Sequence, residues 1–202
     1  MTVSPEYFDS LYAASPDPYG FTTRWYEQRK YAVSLALLPR ERYRDAFEPG
    51  CSVGVLTRLL APRCGRLLAC DGAAAAVGQA AERTSALENV RVERRALPGD
   101  WPPGEFDLIV ASELLYYFAD QDLDQILGQV VAGLRPDGHL LAVHWRHEAS
   151  NHPRSGDNVH AILAAHDGLA RLAGYRDPDF LAEVYTPAGG DRRSVAAAEG
   201  LV

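Results

Sequence analysis

Short apolar runs alternate with amphipathic segments from Arg44 onward, and this rhythm constrains the fold more than any other feature of the chain. "RDAFEP" reads as a strand, "GVLTRLLAPR" as a helix that ends at Pro62, "RLLACD" as a second strand and "AAAAVGQAAERTSA" as a second helix. "VRVERRAL" alternates valine with charge, as a half-exposed strand does, and "FDLIVASELL" is an apolar run of the length of a buried central strand. "DLDQILGQVVAGL" has apolar residues at helical spacing and stops at the turn "RPDG", which leads into the strand "HLLAVHW". Strands and helices alternating at these lengths predict an α/β fold, a parallel sheet covered by helices on both faces. In such sheets ligands bind beyond the carboxyl ends of the strands, near the point where strand order reverses.

The two ends of the chain are less regular. "DNVHAILAAHDGLARLAGY" is expected to form one helix and "DFLAEVYT" a strand. The first ~28 residues are rich in aromatics, and the prolines of "SPDPYG" exclude a continuous helix there. A short helix, a loop and a longer helix through "WYEQRKYAVSLALL" are predicted instead. No repeat or linker divides the chain, and 202 residues suit one core. The expected organisation is a single domain over 1–202, with a helical N-terminal lid over 1–40, the core over 44–186 and a flexible tail over 187–202.

Charge and composition remove several classes of partner. Lys plus Arg total 20 against 27 for Asp plus Glu, and the net charge of -7 repels phosphate backbones, so nucleic acid is not expected. A cationic acceptor such as an amine is electrostatically welcome. No stretch approaches the ~20 consecutive apolar residues of a membrane span, and "MTVSPEYFDS" carries neither a basic nor an apolar signal region, so a cytoplasmic location away from membranes is expected. Cys51, Cys64 and Cys70 form neither a CxxC pair nor a metal spacing with histidine, and neither a disulfide nor a metal site is expected. The sequence sets no oligomeric state.

The stretch "EPGCSVG" places Glu48 to Gly54 at the carboxyl end of the first core strand. Its glycines suit a tight strand-to-helix turn or a close approach to a ligand. Asp71 ends the second strand 21 positions after Gly50, near the ~20-residue offset at which a carboxylate accepts the hydrogens of ribose hydroxyls. It equally suits an N-cap for the following helix. A dinucleotide is disfavoured, because Ser52 takes the second glycine position of G-x-G-x-x-G and no glycine stands at the sixth.

The pattern E-x-G-x-x-x-G, with "FDLIVASELLYYFAD" and "LRPDGHLLAVHW", resembles class I S-adenosylmethionine-dependent methyltransferases over Phe47 to Trp145. The resemblance implies a Rossmann-like sheet of seven strands, mostly parallel, whose antiparallel last strand "DFLAEVYT" would supply. "PDPYGFTTRWYEQRK", "EPGCSVGVLTRLLAPRCGRLLACD" and "ELLYYFAD" are similar, more specifically, to the nodulation protein S group of N-methyltransferases. Members of that group methylate the free amine of a deacetylated amino sugar in a chitooligosaccharide. The implied function is methyl transfer from S-adenosyl-L-methionine, with S-adenosyl-L-homocysteine as product, to the amine of an amino sugar or a similar small-molecule acceptor. An O-methyltransferase acting on a hydroxylated sugar or natural product, and a non-catalytic cofactor-binding scaffold, are the alternatives.

Residue by residue, the resemblance implies that the backbone of Gly50, Cys51 and Ser52 faces the methionine part of the cofactor, with Glu48 and Gly54 bracing the loop. Asp71, with Gly72, would hold the ribose, and Ala96 and Leu97 would flank adenine, Ala96 standing where an aspartate is often found. Ser112, Glu113 and Leu114 would pass the cofactor's other side. The chain departs from its relatives at Ser52 and Val53, where small alanine-like residues are usual, at Tyr31, where a histidine can occur, and through "HWRHEASNHPRSGD".

An amine must be unprotonated to attack a methyl group, which calls for a desolvating aromatic wall and a proton acceptor. Glu113 and His144 are the natural bases at the carboxyl ends of strands; Glu113 equally suits a cofactor contact and His144 a structural role. Tyr116 and Tyr117 suit a pocket wall, and Tyr19, Trp145 and Arg146 complete the expected acceptor side. Tyr19, Trp25, Tyr26 and Arg29 are expected to form a lid in which Trp25 and Arg29 touch the cofactor, or else an arm packed on the sheet edge. His147, His152 and His160 are expected to be solvated.

Overall fold

A computed structural model describes residues 1–202. Its sheet contains β1 (Tyr43–Pro49), β2 (Cys64–Asp71), β3 (Val90–Arg94), β4 (Phe106–Ser112), β5 (Leu134–Trp145), β6 (Leu169–Arg176) and β7 (Phe180–Pro187). The spatial order is β3-β2-β1-β4-β5-β7-β6. Strands β1 to β5 pair in parallel, and β7 lies antiparallel to β5 and β6. The expected seven-stranded Rossmann-like sheet with an antiparallel last strand is therefore present.

Period-two alternation in the central strands builds two cores. Ile109, Ala111, Leu140, Ala142 and Tyr185 face one side, where helices α5 (Asp120–Gly133) and α6 (Gly156–Ala165) cover them with Leu123, Ile126, Val159 and Leu163. Leu108, Val110, Leu141, Val143 and Val184 face the other, against Tyr31 and Leu38 at helix α2 (Trp25–Leu37) and Leu56 and Leu60 of helix α3 (Val55–Leu60). Each fully buried aliphatic or aromatic side chain stabilises the fold by about 1.5–3 kcal/mol. This anchoring makes the carboxyl ends of β1 and β4 a rigid platform. Helix α1 (Pro5–Ala14) and the segment after it cross that platform, and helix α4 (Ala74–Thr84) flanks β2. No helix is long and apolar enough to cross a membrane.

Two local expectations change. The predicted helix "DNVHAILAAHDGLARLAGY" ends at Ala165, and its second half is the strand β6. At the break, the Gly168 amide donates to Nδ1 of His166, and "LARLAGYR" then pairs along β7 from Leu169↔Pro187 to Arg176↔Leu181. Strand pairing satisfies backbone groups that a longer helix would leave at the sheet edge. The turn "RPDG" lies within β5, where the register with β4 shifts between Phe106 and Leu108. Beyond β7 the chain continues into a short helix, α7 (Val195–Ala198).

Gly54 starts α3 with φ +77°, and a Cβ there would sit 2.8 Å from Cα of Ala80 in α4. Gly54→Ala is therefore expected to cost about 1–3 kcal/mol, from backbone strain and from separating α3 and α4. In a thermal melt this reads as a Tm loss of roughly 2–4 °C per kcal/mol; an unchanged Tm would contradict the packing described.

Candidate active site

Strand order reverses between β1 and β4, and at their carboxyl ends lies a cavity of about 600 Å³. Its floor is the loop that follows β1. Gly50 has φ +72°, and a Cβ on it would meet Cδ1 of Leu114 at 2.9 Å, so only glycine lets the two walls approach this closely. Ser52 has φ +50°, a left-handed conformation uncommon outside glycine. Its amide donates to Oδ2 of Asp71 (2.9 Å), and its hydroxyl meets that of Tyr12 in α1.

Asp71 is held from both sides, since Oδ1 accepts the Ala73 amide at 2.9 Å. Burial raises this carboxyl, while the amides of Ala73, Ser52 and Gly72 pull it back. Each oxygen keeps a lone pair that can accept a further hydrogen. Glu48, at the end of β1, is 2% exposed and lines the cavity with an Oε2 that has no hydrogen-bond partner. Burial pushes its carboxyl up to about 8. Gly72, Ala96, Leu97 and Ser112 continue the wall, joined by Arg95. The Ala96 amide donates to Asp100 at 3.0 Å, so this backbone group is already paired.

Glu113 follows β4 in a left-handed conformation (φ +53°), a position that demands compensation and often accompanies function. Three groups hold its carboxylate: Lys30 Nζ donates to Oε1 at 2.6 Å, while the Trp145 amide (3.0 Å) and the Tyr116 hydroxyl donate to Oε2. Lys30 is 2% exposed and also pairs with Glu27 at 3.0 Å. Burial works against the Lys30 ammonium, but Glu113 and Glu27 outweigh it and raise its pKa. Tyr26, Tyr31, Tyr116, Tyr117 and Trp145 wall this end of the cavity, with Tyr19 closing it from the N-terminal side. Tyr26 stands edge-on to Trp145, and its hydroxyl is buried without a partner.

Five expected site residues lie elsewhere. Trp25 is 72% exposed, and Arg29 bonds Asp177 at 2.7 Å. Helical geometry explains both, because α2 turns Glu27, Lys30, Tyr31 and Ser34 inward, which leaves positions 25 and 29 on another face. Gly54 serves the contact with Ala80 rather than the cavity wall. Arg146 is bound to Asp157 and to the carbonyl of Asp177, at the base of the loop after β5.

His144 is the fifth, fully buried outside the cavity lining. The Leu115 amide can only donate, so Nε2 of His144 is its acceptor at 3.2 Å. Nδ1–H of His144 then donates to Nε2 of His160 (3.1 Å), whose Nδ1–H donates to Glu183 (2.7 Å). Burial drives the His144 pKa down, so the ring stays neutral. Burial also opposes ionisation of Glu183, but His160, Tyr185 and Arg171 hold its carboxyl at about 2. His144 thus braces the turn after Glu113 (Leu115–Tyr117) and has no nitrogen free to act as a base.

The histidines expected in solvent divide. His160 is buried in that chain, His152 stacks on Tyr116 with ring centroids 4.0 Å apart and lines the cavity, and His147 is half-exposed beside Asp179. Glu27, Lys30, Tyr12 and Arg95 were not expected at the site. The spacing of Glu27 and Lys30 by three residues is a signal, but it equally describes a surface ion pair.

Comparison with known proteins places this geometry in a family. Residues 10–164 match the family model of nodulation protein S. Nodulation protein S of Bradyrhizobium diazoefficiens is 32% identical over 130 residues, 63% of this chain and 62% of its own length; that of Rhizobium tropici is 32% identical over 134 residues, 63% and 55% respectively. The matches thus span about three fifths of the length of these curated relatives. Among solved structures, a Pseudomonas syringae protein provisionally described as a methyltransferase is 46% identical, with 81% of this chain and 99% of that one aligned at a TM-score of 0.72. The N-methyltransferase NodS from Bradyrhizobium japonicum WM9, solved with S-adenosyl-l-homocysteine, has the same fold at 24% identity and a TM-score of 0.80, with 92% of this chain and 99% of that one aligned. The matched span includes the glycine loop, Asp71, Glu113 and Lys30, and on that match the chain belongs to the nodulation protein S family.

Proposed function

We propose that this protein is an S-adenosylmethionine-dependent methyltransferase acting on the amine of a small molecule, an amino sugar or a metabolite like it. The observation that carries the reading is the meeting of two half-sites at the switch point: the glycine loop with Asp71, and the Glu113 carboxylate inside an aromatic wall. The solved relative of this fold that holds S-adenosyl-l-homocysteine supports the first half. A wheat phosphoethanolamine N-methyltransferase, 24% identical over 75% of this chain and 28% of its own, supports an amine for the second.

The residues fit the cofactor. Its methionine portion would lie on the backbone of Gly50 to Ser52, which lines the cavity, and the open lone pairs of Asp71 would accept ribose hydroxyls. Leu97 would pack against adenine, and the unpartnered Oε2 of Glu48 offers an acceptor near the methionine end. When bound, the cofactor supplies a methyl group on a positively charged sulfur, activated toward a nucleophile in line with the carbon–sulfur bond.

The chain's own residues prepare that nucleophile. An amine arrives as an ammonium, and Glu113 accepts one of its N–H protons, so that the nitrogen keeps an electron pair. Tyr26, Tyr116, Tyr117 and Trp145 line this end of the cavity with aromatic surface that would exclude water from the cation. The unpartnered Tyr26 hydroxyl gives the acceptor a hydrogen-bonding contact. A hydroxyl acceptor fits less well, because His144, the base that would suit it, is engaged by the Leu115 amide.

A binding titration tests the cofactor. S-adenosylhomocysteine is expected to raise Tm and NADH to leave it unchanged, with Asp71→Ala abolishing the rise; stabilisation by NADH alone would overturn the assignment. Labelled S-adenosylmethionine offered with amines and their hydroxylated analogues tests the acceptor. Label is expected on the amines; label confined to the hydroxylated compounds, or absent from all despite cofactor binding, would overturn the amine reading.

A further inference from the structure

Lys30 does not itself line the cavity, yet it contacts both carboxylates at the acceptor end, Glu113 at 2.6 Å and Glu27 at 3.0 Å. A buried lysine loses the hydration of its ammonium, and only paired charges offset that cost. Two carboxylates sharing one cation also leave the group with a net charge of -1. We propose that Lys30 is the positioning residue of the acceptor site: it holds the Glu27 and Glu113 carboxyl groups side by side about one ammonium, so that the pocket is fitted to a cationic acceptor and presents Glu113 to it as the proton acceptor. This rests on the amine-methyltransferase reading above. In the step concerned an N–H bond of the ammonium breaks, its electron pair stays on nitrogen, and the proton forms an O–H bond on Glu113.

The surroundings of Glu113 leave few other groups able to titrate. From α2 it faces Tyr26, Glu27, Lys30 and Tyr31, and from the N-terminal segment Tyr19. From the turn after β4 it faces Tyr116 and Tyr117, and from the loop after β5 His152. Burial raises all five tyrosines, which stay protonated, and lowers His152, which stays neutral. Among these neighbours Lys30 is the cation and Glu27 the second acid. Without the lysine the two carboxylates repel one another at low dielectric, and one of them takes up a proton. Burial already raises the Glu27 carboxyl, and a proton shared between the two acids cancels the group's negative charge and competes with the acceptor's own proton for Glu113.

The test compares Lys30→Met, Lys30→Arg and Glu27→Gln with the full-length wild type, using S-adenosylmethionine and whichever amine of the panel is methylated fastest. Lys30→Met is expected to lower kcat/KM about 100-fold at pH 7, the scale of losing a general base, and to move the rising limb of the pH profile at least about one unit to the alkaline side. Lys30→Arg keeps the charge and is expected to keep the wild-type profile. Glu27→Gln neutralises the group and is expected to raise the KM for the amine roughly tenfold. All three are expected to keep the thermal shift with S-adenosylhomocysteine, which reports a folded cofactor half-site.

An unshifted pH profile in Lys30→Met with cofactor binding intact would overturn the inference alone. If that variant does not fold, an unchanged amine KM in Glu27→Gln does the same. A wild type that methylates no amine would instead overturn the reading on which the inference rests.

Discussion

Glu113→Gln is expected to lower kcat by about 10²–10⁴-fold, with S-adenosylhomocysteine binding retained. The substitution keeps the length and shape of the side chain and an oxygen able to accept from Lys30. It removes the capacity to take a proton from an ammonium. Single-turnover measurement across pH checks the assignment. The residual rate should rise with pH, because the fraction of acceptor already free of its proton then grows. A variant with wild-type kcat at pH 7 would eliminate Glu113 as the base and leave it as a wall of the cofactor site.

Glu48→Gln is expected to make the protein more stable at alkaline pH. The Glu48 carboxyl is raised by burial from 4.5, its ordinary value, to about 8, so between these values the native state holds a proton that the unfolded chain has released. The native state therefore binds more protons there, and stability falls as pH rises, fully present below the unfolded pKa and lost through the folded one. A raised pKa is worth about 1.4 kcal/mol per unit, so the rise of Glu48 sets the full loss on the order of 5 kcal/mol, or roughly 10–20 °C in Tm. Glutamine stays neutral throughout. Melting curves at pH 6, 7.5 and 9 should show the wild type losing Tm and Glu48→Gln holding it. Parallel decline in both proteins would show that Glu48 is ionised in the native state.

The half of the cavity built on the glycine loop and Asp71 was legible because it is local. Glu48, Gly50, Ser52 and Asp71 stand at fixed offsets from strand ends, and the strand rhythm carries those offsets into space. The acceptor half was less so, and α2 shows why. "WYEQRKY" contains aromatics and charges on every side, and the sequence singled out Trp25, Tyr26 and Arg29, whereas the fold buries Glu27, Lys30 and Tyr31 and leaves Trp25 exposed. A charge ordinarily signals an exposed face, so the buried pair of Lys30 with Glu27 ran against the pattern being read.

His144 and β6 teach the same point from opposite directions. Its place at the end of β5 suggested a base for His144, but the direction of one amide, Leu115 N–H, makes the ring an acceptor held by its neighbours. In β6 a run with helical spacing became a strand because β7 offered it a ladder of hydrogen bonds. By itself the sequence determined the alternating architecture, the switch-point location and the loop with its acid, since each follows from periodicity or from short spacings along the chain. Only the tertiary structure decided which face of α2 is buried, which histidine ring is engaged and which cation stands between Glu27 and Glu113. Those outcomes depend on contacts between segments far apart in sequence, such as position 30 with position 113, whose energies no local pattern encodes.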